Sequence, residues 1–283
     1  MTGAVRVTGF RRPDGRFGVR NHLLVLPSVV CATHAAGEIA RASGAVALTH
    51  QHGCLHVGDD LAHTGEALVG TAVNPDVGGV VVVSLGCETL KGRRLARRIG
   101  ERGQRVRFVG IQQAGGTERA VAEGRAAVAE LAGALARDVR EPLPPGALTV
   151  GVDAAPGDPL AALLRGQLAA RGASALALGP DDGVGAETHV ALAAAGAQVI
   201  VSLLRGERAP LGFVVCPVLA VGCGNPLAAA LADDFDLALD GTPTEADAAR
   251  VADAALAAAA GIATASERRG ARDFVLRRLA MTM

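Results

Sequence analysis

Residues 79–88 read GVVVVSLGCE, and the reading of this stretch decides the fold class. Consecutive β-branched residues without polar alternation suit a strand buried on both faces, the situation of a central strand in a parallel sheet covered by helices on each side. Two earlier stretches end alike: LLVLPSVVC (23–31) carries an apolar run into Cys31, and AVAL (45–48) runs into THQHGC, placing Cys54 beyond another strand. Helical spacing follows each strand. It covers residues 31–41 with Thr33 as N-cap, a segment starting near His56, the Arg-rich stretch 91–101, and an Ala-rich stretch from Thr117 to about residue 138. With a further strand at 106–111, the alternation is that of a doubly wound sheet.

The pattern pauses at REPLPPGA (140–147), where proline and glycine stop helix and sheet, and then restarts. Strands are expected at Leu148–Asp153, Ser174–Leu178, Gln198–Leu204 and Gly212–Val221, with closing helices at 244–260 and 270–279. The expected fold is therefore α/β: two Rossmann-like three-layer domains with mostly parallel sheets, residues 1–141 and 148–283. A chain of 283 residues is long enough to bury two such cores.

Composition excludes some partners. The 28 basic and 28 acidic residues cancel, and with six Phe, no Tyr and no Trp the chain has neither a chain-wide positive field nor bases' usual stacking platforms. No nucleic-acid partner is expected. No apolar run reaches the length of a membrane span and the first residues show no leader-like apolar core, so a cytoplasmic location without a membrane partner is expected. Five cysteines at strand ends read as reduced thiols or metal ligands rather than a disulfide framework.

Site chemistry concentrates in LTHQHGCLHVGDDLAH (48–63), which holds four of the seven histidines, Cys54, Asp59 and Asp60. Imidazole, thiolate and carboxylate are metal ligands, and open α/β sheets place their sites beyond the carboxyl ends of strands. Cys31, Cys54 and Cys87 sit at three such ends; the plainer reading is that small apolar cysteines pack well there. Before the first strand, GFRRPDGRFGVRN (9–21) brings Arg16, Arg20 and Asn21 together. Its guanidinium forks suit a carboxylate or phosphate, or else form a solvated basic loop. Lys91, the only lysine, falls on a helix whose neighbours Arg93 and Arg94 suggest a solvated face.

Taken together, GFRRPDGRFGVRN, SVVCAT around Cys31, THQHGC (49–54), NPDVGGVVVVSLGCE (74–88) and IQQAGGT (111–117) resemble the large catalytic portion of the altronate/galactarate dehydratase family, which includes the large subunit of sulfolactate sulfo-lyase. The stretch ADDFDLALDGTP (232–243) and the tail beyond it resemble that family too. The resemblance implies iron-dependent β-elimination from a hydroxy or sulfo acid, often with a small partner domain, fused or separate. Soft thiolates then place Cys31, Cys54 and Cys87 on iron, as three ligands of a cluster with one open iron; the competing arrangement is a mononuclear Fe2+ bound by His50, His52 or His56. His52 or His56 is expected as the base for the α-proton, and Arg16, Arg20 and Asn21 as the grip on the substrate carboxylate. Where the family typically carries Cys-Gly-Gly-Ser-Asp, this chain reads GVDAAPGDPL (151–160), and family sequence between Leu204 and Cys216 is missing. Two classes follow: a carbon–oxygen or carbon–sulfur lyase, alone or with a small partner subunit or further copies of itself, and a catalytically reduced homologue that binds an acid ligand or a partner.

Overall fold

A computed structural model describes residues 6–41, 43–54, 57–179 and 184–279. In chain order the first half runs β1 (Thr8–Arg11), β2 (Phe17–Gly18), β3 (His22–Pro27), α1 (Thr33–Arg41), β4 (Val46–Ala47), α2 (Gly58–Ala72), β5 (Val77–Ser84), α3 (Gly92–Glu101), β6 (Val106–Gly110), α4 (Ile111–Ala114) and α5 (Thr117–Leu135). Then come β7 (Arg140–Pro142), β8 (Leu148–Asp153), α6 (Pro159–Ala170), β9 (Ala173–Leu176), α7 (Ala186–Ala194), β10 (Val199–Leu204), β11 (Val218–Cys223), α8 (Leu227–Ala230), β12 (Leu237–Leu239), α9 (Glu245–Ala259) and α10 (Ala265–Arg269).

The α/β class stands. One parallel sheet has the order β4-β3-β5-β6 and a second the order β12-β11-β10-β8-β9. In the first, the chain steps from β3 outward to β4 and then crosses back to β5, so the order reverses between β3 and β5. In the second it reverses between β8 and β10. Such reversals open crevices beyond the carboxyl ends of the strands.

All eight residues of β5 are buried, as its valine run requires of a strand with helices on both faces. Leu23, Val25, Val81 and Val83 face α1 and α5. Leu24, Leu26, Val80 and Val82 face α2 and α3, and this second core continues without a break into Val190 and Leu192 of α7, Ile200, Val218, Phe213, Phe274 and Leu276. The inner layer is thus common to both halves, while α6 and α9 close the outer face of the second sheet. Helices α2 and α7 approach closely at Gly70, where a Cβ would meet the Ala194 backbone at 3.0 Å.

Several expectations change. The Pro-rich stretch does not stop the sheet at once: Arg140–Pro142 pairs antiparallel with β1, on an edge where proline is tolerated. Thr33 opens α1 instead of capping it, its hydroxyl without a hydrogen-bond partner among the described residues. The expected strand from Gly212 begins only at Val218, after Pro217, because residues 213–216 are a buried connection packed into the inner core. The helix expected at 270–279 is absent. Gly270, at φ 68°, ends α10, and the chain then runs with Phe274 and Leu276 buried and Val275 and Arg277 exposed. That alternation belongs to an extended segment. Among the described residues no helix is long and apolar enough to cross a membrane.

Candidate functional site

The loops after β3, β4 and β5 meet at the reversal point of the first sheet. The Val30 N–H donates to the His52 carbonyl at 2.9 Å, tying the loop of Cys31 to the loop of Cys54. Gly53, at φ 101°, lies so close to Ser28 and Val29 that a Cβ would come 2.9 Å from the Val29 Cα. On the other side, Gly86 at φ 128° lets the β5 tip turn against Gln112, whose N–H donates to the Leu85 carbonyl at 3.1 Å. Cys31, Cys54 and Cys87 are all free and exposed. Adjacent strands therefore bring the three tips to one edge, but among the described residues no three His, Cys, Asp or Glu side chains are arranged to hold a metal. As placed, the described side chains form no three-donor set; His56, a further candidate ligand, is outside them.

The best-built group at this point is Glu88, which the sequence pattern named only as the neighbour of Cys87. Its side chain is buried in the crevice between β3 and β5, accepting from the Ser28 hydroxyl at 2.7 Å, the Ser84 hydroxyl and the Gly86 N–H at 2.6 Å. Burial pushes its pKa upward, but these donors outweigh it and hold the carboxyl below its ordinary range. Gly92 faces this group so tightly that a Cβ would sit 2.6 Å from the Ser84 Cβ. Glu88 anchors the turn that presents Cys87. A buried carboxylate within four residues of Ser84, next to a strand end, was the available signal.

The histidines divide. His50 is buried, its Nε2 2.7 Å from the Pro27 carbonyl, and the His52 N–H donates to its Nδ1 at 3.2 Å. His52 is buried too, its Nε2 3.2 Å from the Leu276 carbonyl in the C-terminal extended segment. That segment is further held where the Leu279 N–H donates to buried Asp60 at 2.6 Å and the Asp273 carboxylate accepts from the Gly212 N–H at 2.7 Å. His56 lies outside the described residues.

Arg16, Arg20 and Asn21 are at the amino end of β3, the opposite end of the sheet, and each holds other groups of the protein. Arg20 does grip a carboxylate with its fork, but that of Glu267 in α10, at 2.8 and 2.9 Å, and it donates as well to the Ala258 carbonyl at 3.1 Å. Arg16 holds Asp14 at 2.7 Å and the Val73 carbonyl at 2.9 Å. Asn21 accepts from buried Arg12 at 2.9 Å and donates to Asp138 at 3.2 Å. Nearby, the Asn74 amide donates to the carbonyls of Ala193 and Ala197, both at 2.8 Å. Buried Asp76 accepts from the N–H groups of Val19 and Arg20 at 2.6 and 3.1 Å. Burial pushes its carboxyl up to about 7 against the pull of those N–H groups and of Arg20 and Arg12. The motifs 9–21 and 74–79 are a seam between the halves, which corrects the substrate-gripping role expected of these three residues.

The second sheet carries a polar group at its own reversal point. Asp153, fully buried at the end of β8, accepts from the Ser202 hydroxyl on β10 at 2.7 Å and the Gly185 N–H at 3.1 Å, and lies 3.1 Å from His189 Nε2 and 3.5 Å from Arg208. Burial raises its pKa, and the partners, His189 foremost, bring it below the ordinary value.

An α/β protein with a carboxylate-anchored, cysteine-bearing crevice at the reversal point of a parallel sheet is the class this geometry defines. Residues 9–136 match the family described as D-galactarate dehydratase/Altronate hydrolase, second domain. Altronate dehydratase of Bacillus subtilis (strain 168) is 32% identical over 211 residues, covering 68% of this chain and 42% of that protein. The (2R)-sulfolactate sulfo-lyase subunit beta of Chromohalobacter salexigens is 41% identical over 78 residues, 27% of this chain and 20% of that subunit. Altronate dehydratase of Escherichia coli (strain K12) is 32% identical over 116 residues, 37% of this chain and 23% of that enzyme. The chain spans less than half the length of these relatives.

Proposed function

We propose that this chain is the large component of a carbon–oxygen or carbon–sulfur lyase, acting in the cytoplasm on a small hydroxy or sulfo acid, with a small partner subunit. In that reaction a base takes the proton from the carbon next to the carboxylate, the C–H electron pair forms a C=C bond, and the β C–O or C–S bond breaks, its electron pair departing on hydroxide, which takes up a proton as water, or on sulfite. The observation that carries the reading is the meeting of the Cys31, His52–Cys54 and Cys87–Glu88 loops at one crevice inside the segment that matches the dehydratase family. The base of the proposal is His52, on a loop that meets that crevice, or His56, which lies outside the described residues. Iron at Cys31, Cys54 and Cys87 remains part of it; when bound, such a metal stabilises the charge that builds on the carboxylate and leaving oxygen. Because the described side chains do not form a three-donor set, no step is routed through it.

A second reading is supported by the same geometry. The covered His52 and the exposed, separate thiols suit a catalytically reduced homologue that binds an acid or a partner subunit. Anaerobic purification with iron and sulfide analysis, followed by mass-spectrometric detection of water or sulfite loss from altronate, D-galactarate and (2R)-sulfolactate with and without a co-expressed small subunit, separates the two. Elimination that is lost on replacing His52 or His56 by Ala supports the lyase. Iron-free protein that turns over none of the acids overturns it.

A further inference from the structure

A cavity of about 460 Å³ lies between α2 and α3. Leu61, Leu90 and Leu95 form apolar walls, and Lys91, Arg94 and Arg98 reach it from one face of α3, where residues three and four apart stand one above the other. Its walls continue the site described above: Gly58 follows the loop of Cys54, and Thr89 follows Glu88 directly.

The other cations of this helix are engaged. Arg93 lies 4.5 Å over the Phe108 ring and donates to Gln113 at 2.8 Å. Arg97 pairs with Glu101 at 3.5 Å, while Arg98 and Arg102 share Glu66, the carboxylate lining the cavity. Lys91 and Arg94 have no ion-pair partner among the described residues. Two uncompensated positive charges in a recess with apolar walls attract an anion more strongly than the same charges on an open helix, because the walls exclude screening water. A volume in this range suits a small ligand.

We infer that this cavity receives the carboxylate of the acid substrate, with Lys91 and Arg94 as its counter-ions; the inference rests on the lyase reading and names the substrate grip that Arg16, Arg20 and Asn21 do not supply. Lys91 and Arg94 are then binding residues, and the helix face that composition alone marks as solvated is the wall of a site. The ligand class is a hydroxy acid bearing one or two negative charges, entering with its anionic end toward α3 and its hydroxyl-bearing carbons toward the Cys87–Glu88 turn.

Isothermal titration of the full chain with D-galactarate, altronate, (2R)-sulfolactate and inorganic phosphate, at low ionic strength, tests it. Lys91→Gln and Arg94→Gln each weaken binding of at least one acid by about tenfold, the effect of losing one charge-assisted contact. Arg93→Gln and Arg97→Gln remove the same charge from the same helix outside the cavity and change it less than about twofold. All four positions are exposed, so the variants fold, which circular dichroism verifies. Equal losses in all four variants indicate a general field and overturn the assignment. So do an absence of acid binding, or phosphate binding as tight as the acids with the same dependence on Lys91 and Arg94. Acid binding that needs both residues, without elimination under any condition, keeps this site and defeats the lyase reading. Elimination with unchanged KM in Lys91→Gln and Arg94→Gln does the reverse.

Discussion

Replacing Arg20 by Met should unfasten the seam between the halves without touching substrate binding. The side chain makes two charge-assisted hydrogen bonds to Glu267 and one to the Ala258 carbonyl, and both partners of the pair are largely buried, at 14% and 26% side-chain exposure. Breaking a fully buried pair costs ~3–5 kcal/mol, mostly because the surviving charge is stranded. Here the stranding is partial: Glu267 also accepts from the Thr264 N–H at 3.0 Å in the capping box of α10, and some solvent reaches it. The expected loss is therefore about 2–3 kcal/mol. Urea titrations followed by circular dichroism measure it, and the double variant with Glu267→Gln should lose at least about 1 kcal/mol less than the sum of the singles. The pH dependence has a definite sign. Burial raises the Glu267 carboxyl, yet Arg20 and the Thr264 N–H outweigh it and hold it below its usual 4.5. A depressed acid stabilises the fold above its unfolded pKa and stops doing so as pH falls through the folded one, so wild type and Arg20→Met converge as pH falls through that folded value, below 4.5. A loss under about 0.5 kcal/mol, or intact stability together with lost acid binding, would refute the seam and return Arg20 to a substrate role.

Two further outcomes are expected. Asp76 has its pKa raised to about 7 from 3.8, so the unfolded chain releases this proton first and folding stability falls as pH rises between those values; Asp76→Asn, which still accepts from Val19 and Arg20, removes that slope, and parallel wild-type and variant profiles from pH 4.5 to 7.5 would contradict it. Phe274→Ala empties a buried position tilted against Phe213 at 6.1 Å, costing about 3 kcal/mol and speeding deuterium exchange through residues 272–279; unchanged exchange there would mean that the C-terminal segment is not held by this contact.

Much of the fold was legible because parallel sheets write themselves plainly. The valine run of β5, the apolar runs of β3 and β8 and the helical spacing between them are local patterns with one reading each. The failures share a cause: partners distant in sequence. Residues 270–279 look helical until Phe274 and Leu276 find places in the core shared by both halves, and nothing near Gly270 announces those places. The Arg-rich loop was read as a grip on a substrate carboxylate, whereas the carboxylate that the Arg20 fork holds is Glu267, 247 residues away. The three cysteines were rightly placed at neighbouring strand ends, while their side-chain directions depend on turns such as Gly53 and Gly86 that spacing does not describe. Lys91 and Arg94 were hidden for the opposite reason: a run of arginines looks uniform until each partner is found.

A ribosome delivers the first sheet long before it delivers α7, Phe213 or Phe274. During that interval the face of β3 and β5 that carries Leu24, Leu26, Val80 and Val82, with α2 and α3 over it, has an unfinished apolar edge in water, the kind of surface that nascent chains bury late or surrender to chaperones. The stretch around Leu276, which emerges later than the first sheet, also closes this edge and reaches His52. Folding of the histidine-bearing loop thereby waits on synthesis of the residues around Leu276, and a polypeptide that stopped short of them would display its thiols on a scaffold that had not yet set.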